Sequence, residues 1–547
     1  MSIAETFPNG LRVLQVVGAM TIAQQKRVLL ADQPGAGKTA QALVAAELAG
    51  LFDRQAKILI LCNVTGCQLT WAPEIQNRVM TQHDIVFADL TGTGGRKTMP
   101  SVSKRNESLG AAMIEAGDLE LPLVVLANFD LVRWKHGSAP KLDNLWSIDF
   151  DMVVIDEAHL VLPTTEDAAP KLTQFWYGLL QLDIKRDAIR LPMTGTPDRS
   201  KLENRYGHWK FLRPESHRSY WSWAQAHFVI EYIERGWNPK TRRPITQAVV
   251  GKMKDPRAWA AYEGQHMIRR TKAEMLVGLP EKQWAGEGGI DLPMTVAQDT
   301  AYFDYMDYLE NKQQELLAEG SDDAAAKASA MQMQFRLRAR QMATCTWDFV
   351  ETTDAGGHVH THGVPIVAGP DKSNKLAWIL DWLESRGYTQ SNWDASLGKV
   401  VIVSYFTEVL NWLKLELDAA EITAAVMSGE TSAPDKKLLE EAFQRGDLRV
   451  MLLSGFLGVS INLDAADDMI FIDQVQDADV MEQVEDRIHR ASRNHQVTFW
   501  RLVSMDTADV VVLQAADHRY RETRKMYEGS RGIAFARRML NKVEVVA

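Results

Sequence analysis

Three short stretches of this chain carry residue types that together do phosphate chemistry. The first is Asp32-Gln33-Pro34-Gly35-Ala36-Gly37-Lys38-Thr39-Ala40-Gln41, which follows the apolar run Val28-Leu29-Leu30 and leads into an Ala/Leu-rich helical pattern from Ala40 to Ala49. Strand, glycine loop and helix in that order form the context a phosphate-binding loop requires. Gly35 and Gly37 permit the positive-φ backbone that curls N–H groups around phosphate oxygens. The helix N-terminus adds its partial positive charge. Lys38 can reach the β- and γ-phosphates and the Thr39 hydroxyl can ligate Mg²⁺. Pro34, Gly35, Ala36, Gly37, Lys38, Thr39 and Ala40 are therefore candidate nucleotide contacts, with an ordinary strand–turn–helix as the alternative. Asp32 stands where the first glycine of such a loop is usual.

The second stretch, Asp151-Met152-Val153-Val154-Ile155-Asp156-Glu157-Ala158-His159, lies about 120 residues downstream. An apolar strand here delivers two carboxylates and a histidine to its C-terminal end, where open α/β sheets bind ligands. Asp156 is placed to hold the Mg²⁺ shell, and Glu157 to orient or deprotonate the attacking water. An acidic helix cap after a strand is the alternative. The third stretch is Gln483-Val484-Glu485-Asp486-Arg487-Ile488-His489-Arg490-Ala491. If it is helical, Arg487 and Arg490 share a face and can neutralise charge developing on a γ-phosphate. The alternative is a basic helix face paired with Glu485 and Asp486. Two weaker signals accompany these. Gln15, whose amide both donates and accepts, is a candidate adenine reader or else a solvent-facing helix glutamine. Thr194-Gly195-Thr196-Pro197 places small hydroxyl residues at a strand end, where they can couple a nucleotide site to a second lobe; a plain turn is the alternative.

The elements that must position these residues form a large soluble protein. At 547 residues the chain predicts roughly three to four domain-sized units. Hydrophobic content of 46% and charged content of 24% are those of a globular protein. No apolar run approaches a membrane span, and the N-terminus shows no basic-then-apolar signal. Cys62, Cys67 and Cys345 are too few and too irregularly spaced for a disulfide framework or zinc site, which fits a reducing cytosol. The net charge of −10 argues against global coating of nucleic acid, though not against a local basic groove. The sixteen tryptophans fall largely at helix-like spacings and read mainly as core residues.

Buried-type strands are predicted at Lys57–Cys62, Leu121–Ala127, Lys399–Ser404 and Val450–Ser454, with an exposed loop at 91–108. From 201 to about 372 strand signals stop and amphipathic helices are expected. The basic run Arg235, Lys240, Arg242, Arg243, Lys252, Lys254 and Arg257 reads as a solvated loop or as a phosphate-contacting element, and His358-Val359-His360-Thr361-His362 as a polar loop rather than a metal site.

In order and spacing, Asp32–Thr39, Asp156–His159 and Thr194–Pro197 resemble the first RecA-like lobe of a superfamily 2 helicase, and more narrowly the SNF2 family of double-stranded-DNA translocases. That family's phosphate loop reads DExGxGKTxQ, which this chain matches except at Gln33. Leu11-Arg12 with Gln15 and Gly18 resembles its adenine-reading element. Ile60–Ile75, with Trp71-Ala72-Pro73-Glu74-Ile75, resembles its DNA-lying segment, and Ile268-Arg269-Arg270-Thr271-Lys272 its junction into the second half. Gly236-Trp237 has surroundings like those of the annealing-helicase branch. Gly458-Val459-Ser460-Ile461-Asn462 resembles the motif touching DNA backbone and nucleotide, with Ser460 replacing a glycine; Ser492-Arg493 departs from the family's Gly-Gln ending.

The resemblance implies an α/β fold of two RecA-like parallel-sheet lobes with a helical insertion between them. The expected organisation is lobe 1 over 1–200, a helical protrusion and linker over 201–372, lobe 2 over 373–518 and a basic brace helix over 519–547. It implies ATP and Mg²⁺ as ligands, Lys38, Asp156, Glu157, Arg487 and Arg490 as catalytic, Thr39 and Asp156 at the metal, and His159, Thr194, Gly195, Thr196, Gln483 and Gly458 as coupling residues. The implied function is a DNA-stimulated ATPase that translocates on duplex DNA, remodelling DNA structures or displacing bound protein. A strand-separating or annealing helicase, and an RNA-polymerase- or replication-associated ATPase acting on a protein partner, are the alternatives. Double-stranded or branched DNA, a monomeric state, no membrane and a cytoplasmic location in a prokaryotic or virus-infected cell complete the expectation; no accessory domain is recognisable at either end.

Overall fold

The computed structural model describes residues 11–91, 100–162, 170–198, 202–216, 219–238, 243–275, 279–318, 337–353, 359–366, 372–388, 397–455, 461–474, 478–489, 495–510 and 512–513. They form two compact units that part at residues 278 and 279. No helix among the described residues is long and apolar enough to cross a membrane.

The first unit is built on parallel strands. Strands β2 (Lys57–Cys62), β3 (Val86–Asp89), β4 (Leu123–Asn128), β5 (Asp149–Ile155) and β6 (Asp183–Pro192) line up as β3-β4-β2-β5-β6. The short β1 (Leu29–Leu30) lies beside β6 through parallel bridges Arg27↔Arg190 and Leu30↔Met193. β2, β4 and β5 are almost wholly buried, the continuous apolar reading expected of a parallel sheet covered on both faces. Helix α1 (Val13–Gln25) and helix α2 (Lys38–Leu48) cover one face, packing Leu11, Ile22, Leu43 and Ala46 against Ile58, Ile60 and Val154. This parallel α/β arrangement is the fold class expected from the sequence.

Residues 201–372 contain the expected helices, at Tyr206–Leu212, Tyr220–His227, Pro256–His266 and Val296–Ala318. They also contain strands that sequence reading missed. β7 (Phe228–Asn238) and β8 (Arg243–Met253) form an antiparallel hairpin, so the basic run is not a loop up to residue 253; its Lys240 and Arg242 lie outside the described residues. The alternation of β7 is diluted by Glu231, Glu234 and Arg235, and the base of the hairpin meets a core. There Phe228 and Ile230 join Tyr206, Trp209, Tyr220, Trp223 and Trp259, packed around Leu29 and Ala31 next to the phosphate loop. Trp71, Trp209 and Trp223 are completely enclosed, as the tryptophan pattern predicted. β9 (Met267–Ile268) pairs in parallel with β1.

In the second unit β10 (Lys282–Leu292) pairs with β17 (Val497–Ser504) in a six-stranded parallel sheet ordered β10-β17-β16-β13-β15-β14. The inner strands are β13 (Val400–Ser404), β15 (Val450–Ser454) and β16 (Asp468–Phe471), with β14 (Ala424–Met427) at the far edge. β10 escaped sequence reading because its run holds Gly286, Gly288 and Gly289, and a register irregularity there absorbs the extra residues. β11 (Trp347–Thr353) and β12 (Val359–Pro365) form an antiparallel hairpin with His362 opposite Val350 and His360 opposite Thr352. The histidine stretch is thus strand from 359 onward rather than loop; His358 lies outside the described residues, as do residues 519–547.

The predicted loop at 91–108 is also corrected. Ser101 caps a helix at Val102–Asp118 by accepting from the Lys104 N–H at 3.3 Å, and Arg105, Leu109, Ala112 and Ala116 supply its buried stripe. Residues 92–99 of that stretch lie outside the described residues.

Candidate active site

The phosphate loop follows β1, and Asp156 to His159 follow β5, so both groups sit at the carboxyl ends of parallel strands in the first unit. The phosphate loop leaves β1 and ends on α2. Gly35 has φ +76° and Gly37, the residue before α2, φ +77°, the left-handed region that glycine enters without a Cβ penalty. A Cβ on Gly37 would also lie 2.5 Å from Gln15 Nε2. The Gln15 side chain clasps the loop from α1: its oxygen accepts from the Arg12 backbone N–H at 2.8 Å and its amide donates to the Ala36 carbonyl at 3.0 Å. Gln15 is therefore buried and turned into the loop, not solvent-facing. Lys38 Nζ donates back to the Asp32 and Gln33 carbonyls at 2.8 and 3.3 Å, which keeps its ammonium over the loop. Gly195 closes this side; a Cβ there would meet the Pro34 ring at 2.7 Å.

β5 delivers Asp156 and Glu157 beside this loop. The Asp156 N–H donates to the Leu61 carbonyl at 2.8 Å, extending the sheet one residue past the strand. The two Asp156 oxygens are held separately: Oδ1 accepts from the Glu157 N–H at 3.0 Å and Oδ2 from the Trp71 indole Nε1 at 2.9 Å. Burial, and then the Glu157 carboxylate, push the Asp156 carboxyl above its ordinary range, against the pull of the Trp71 N–H and the Lys38 ammonium. Glu157 adopts φ 46°, ψ 46°, a left-handed conformation that a non-glycine residue holds at a cost of about 1–3 kcal/mol and that clusters at functional positions. From it, Glu157 Oε2 comes within 3.3 Å of His159 Nδ1, which in turn lies 2.7 Å from Thr194 Oγ1. Thr194 Oγ1 also accepts from the Thr196 N–H at 3.0 Å. Glu157, expected to be catalytic, and the expected coupling residues His159, Thr194 and Thr196 thus form one contiguous polar chain.

The residues present fit a metal-bound nucleoside triphosphate. The glycine cradle presents N–H groups, Lys38 presents charge, Thr39 stands in the first turn of α2, and Asp156 is a carboxylate with both oxygens fixed. Among the described residues no group of three or more His, Cys, Asp or Glu side chains forms a cage for a metal.

The sequence comparison decides the family. The SNF2-related domain matches residues 12–345, more than half of the chain. The chain belongs to the SNF2-related family. A helicase conserved C-terminal domain matches residues 376–492. Similar proteins include the SWI/SNF-related matrix-associated actin-dependent regulator of chromatin subfamily A-like protein 1 of Xenopus tropicalis, 21% identical over 89% of this chain and 42% of its own. The chromodomain-helicase-DNA-binding protein 1-like of Mus musculus is 21% identical over 95% of this chain and 50% of its own. This chain thus spans half or less of these relatives' lengths. A solved structure, the Sulfolobus solfataricus SWI2/SNF2 ATPase core in complex with dsDNA, is 17% identical with a TM-score of 0.37, covering 97% of this chain and 99% of that one.

Within this SNF2-related chain, sequence reasoning missed what holds the phosphate loop. Arg270, in the junction segment after β9, is buried and clamps Asp32. Its backbone N–H and Nε both donate to Asp32 Oδ1 at 3.0 Å, Nη2 reaches Gln41 Oε1 at 2.7 Å, and Nη1 meets the Leu14 carbonyl. Gln41 closes the ring by donating to Asp32 Oδ2 at 3.1 Å. Gly18 makes room, since a Cβ there would fall 2.2 Å from Gln41 Oε1 and 2.6 Å from Arg270 Nη2. Asp32 therefore serves not as a substitute for a loop glycine but as the acceptor of this clamp. Arg269 adds bonds to the Ala31 and Gly195 carbonyls at 3.3 and 3.1 Å.

In the second unit, Gln483 is half-buried on the helix Ala478–Glu485, which ends before Arg487. Residues 486–488 continue past it as turns in which the Arg487 N–H bonds the Val484 carbonyl at 3.1 Å, so Arg487 lies beyond the helix end, while the 487-to-490 spacing involves a residue outside the described ones. Glu485 and Asp486 face Lys282 at 2.8 and 3.2 Å, and His489 Nε2 meets the Pro280 carbonyl at 2.7 Å. Arg490, Gly458, Ser460, Ser492 and Arg493 lie outside the described residues.

Proposed function

We propose that this chain hydrolyses ATP with Mg²⁺ and uses the cycle to translocate on double-stranded DNA, remodelling DNA structures or displacing bound protein. The observation that carries the proposal is the contiguous arrangement of Lys38, Asp156, Glu157, His159 and Thr194 around one glycine cradle. Mg²⁺ would supply charge neutralisation on the β- and γ-phosphate oxygens. The loop N–H groups and Lys38 bind and orient the phosphates. Thr39 and Asp156 would hold the metal. Glu157 positions the water and draws off its proton, and His159 reports the state of Glu157 to the Thr194–Thr196 turn. Arg487 and Arg490 are assigned the neutralisation of transition-state charge. Lobe 1 over 1–200 and the brace over 519–547 remain our proposed divisions, whereas the insertion expected over 201–372 is divided: its residues up to 278 belong to the first unit, and β10 already belongs to the sheet of the second, ahead of the expected start of lobe 2 at 373.

Duplex DNA as the track is supported by family membership and by the relatives' names, the Xenopus one a regulator of chromatin and the mouse one a helicase and DNA-binding protein. The test is steady-state ATP hydrolysis by the full chain without DNA and with single-stranded, duplex and branched DNA. The proposal expects at least a tenfold rise with duplex or branched DNA and little with single strands. Turnover that ignores DNA, or that needs an added protein, would instead support the partner-driven ATPase.

A further inference from the structure

The bond between Trp71 and Asp156 links two elements 85 residues apart. Trp71 belongs to the segment that follows β2. It begins with Asn63, whose Oδ1 accepts from the Gly66 N–H at 2.7 Å, and continues through two π-helical turns, Cys67–Trp71 and Ile75–Val79. A π-turn inserts a residue into the helical repeat and so re-aims the side chains around it; such turns concentrate at functional sites. The first one ends on Trp71, whose indole is completely enclosed among apolar neighbours including Ala42, Ala46, Ile60 and Val154. An indole has a single donor, and this one is spent on a carboxylate.

A carboxylate that holds a metal is oriented by the groups bonded to its oxygens, and losing such a partner typically costs 10–100-fold in metal affinity. Asp156 Oδ1 is fixed by backbone, which no side-chain change removes. Oδ2 is fixed by Trp71, with the Cys62 thiol 3.6 Å away as a weaker neighbour. We propose that Trp71 is a positioning residue for the nucleotide-bound metal: its indole N–H sets the angle of the Asp156 carboxylate, so the geometry of the 63–79 segment is read directly at the metal. This rests on the reading of Asp156 as a metal holder.

The test compares full-length wild type with Trp71→Phe, which keeps an aromatic ring and deletes the donor. A second protein carries a benzothiophene ring in place of the Trp71 indole, changing only N–H to sulfur. Mn²⁺ binding is followed by electron paramagnetic resonance with a non-hydrolysable ATP analogue, and analogue affinity is measured separately in EDTA. The expected result is a loss of Mn²⁺ affinity of about tenfold or more in both variants, with analogue affinity in EDTA within about twofold of wild type. A merely structural role would instead lower thermal stability and EDTA affinity together in Trp71→Phe and leave the benzothiophene protein unchanged. Wild-type Mn²⁺ affinity in the benzothiophene protein overturns the role of Trp71 alone. Absence of metal-dependent analogue binding in the wild type overturns both this role and the ATP-site reading on which it rests.

Discussion

Glu157→Gln lowers kcat for ATP hydrolysis by about 10²–10⁴-fold, the range that a general base contributes. Nucleotide affinity stays within about threefold of wild type. Glutamine fills the same space, but it cannot accept a proton. The left-handed backbone at φ 46° is needed to turn the side chain toward His159 Nδ1, 3.3 Å away, and an isosteric amide leaves that turn in place. The split between kcat and affinity separates this residue from Lys38, whose loss should weaken nucleotide binding itself. Phosphate-release kinetics beside equilibrium binding of a fluorescent ATP analogue decide the matter. A Glu157→Gln protein with more than a tenth of wild-type turnover would move the base elsewhere.

Arg270→Ala destabilises the first unit by about 3–5 kcal/mol, the loss typical when one partner of a buried ion pair is removed. Asp32 is completely buried, and the arginine supplies three of its hydrogen bonds through the backbone N–H, Nε and Nη2. Without the guanidinium an uncompensated carboxylate remains under the phosphate loop, and the Leu14 carbonyl and Gln41 amide lose their partner. The double change Asp32→Ala with Arg270→Ala costs less than the sum of the single changes, because the stranded charge leaves with its partner. Urea unfolding of the full chain measures both. A loss below about 1 kcal/mol for Arg270→Ala would mean that solvent reaches Asp32.

The parts of this site legible in the sequence are those whose chemistry demands neighbouring residues. A glycine cradle needs Gly35, Gly37 and Lys38 within four positions, and a strand that hands over a metal ligand and a base places Asp156 next to Glu157. Partners that meet only through folding were not legible. Arg270 is 238 residues from Asp32, and nothing in Arg269-Arg270 says which arginine turns inward. Trp71 reads as core, which it is, yet the direction of its one N–H depends on π-turns that leave no sequence signature. The hairpin β7–β8 hid its alternation under charges, and β10 hid its strand under glycines. The helix end before Arg487 was missed because Gln483–Ala491 keeps a helix-compatible composition throughout, while the N–H groups of Arg487 and Ile488 bond carbonyls three residues back.

Translocation is tested most directly by displacement of a triplex-forming oligonucleotide from the end of a duplex. The account predicts that the wild type releases the third strand with ATP and Mg²⁺, at a delay that grows with the length of duplex before it. Glu157→Gln with ATP, and the wild type with a non-hydrolysable analogue, should leave the triplex intact. Duplex-stimulated hydrolysis without displacement, or displacement independent of hydrolysis, would contradict it.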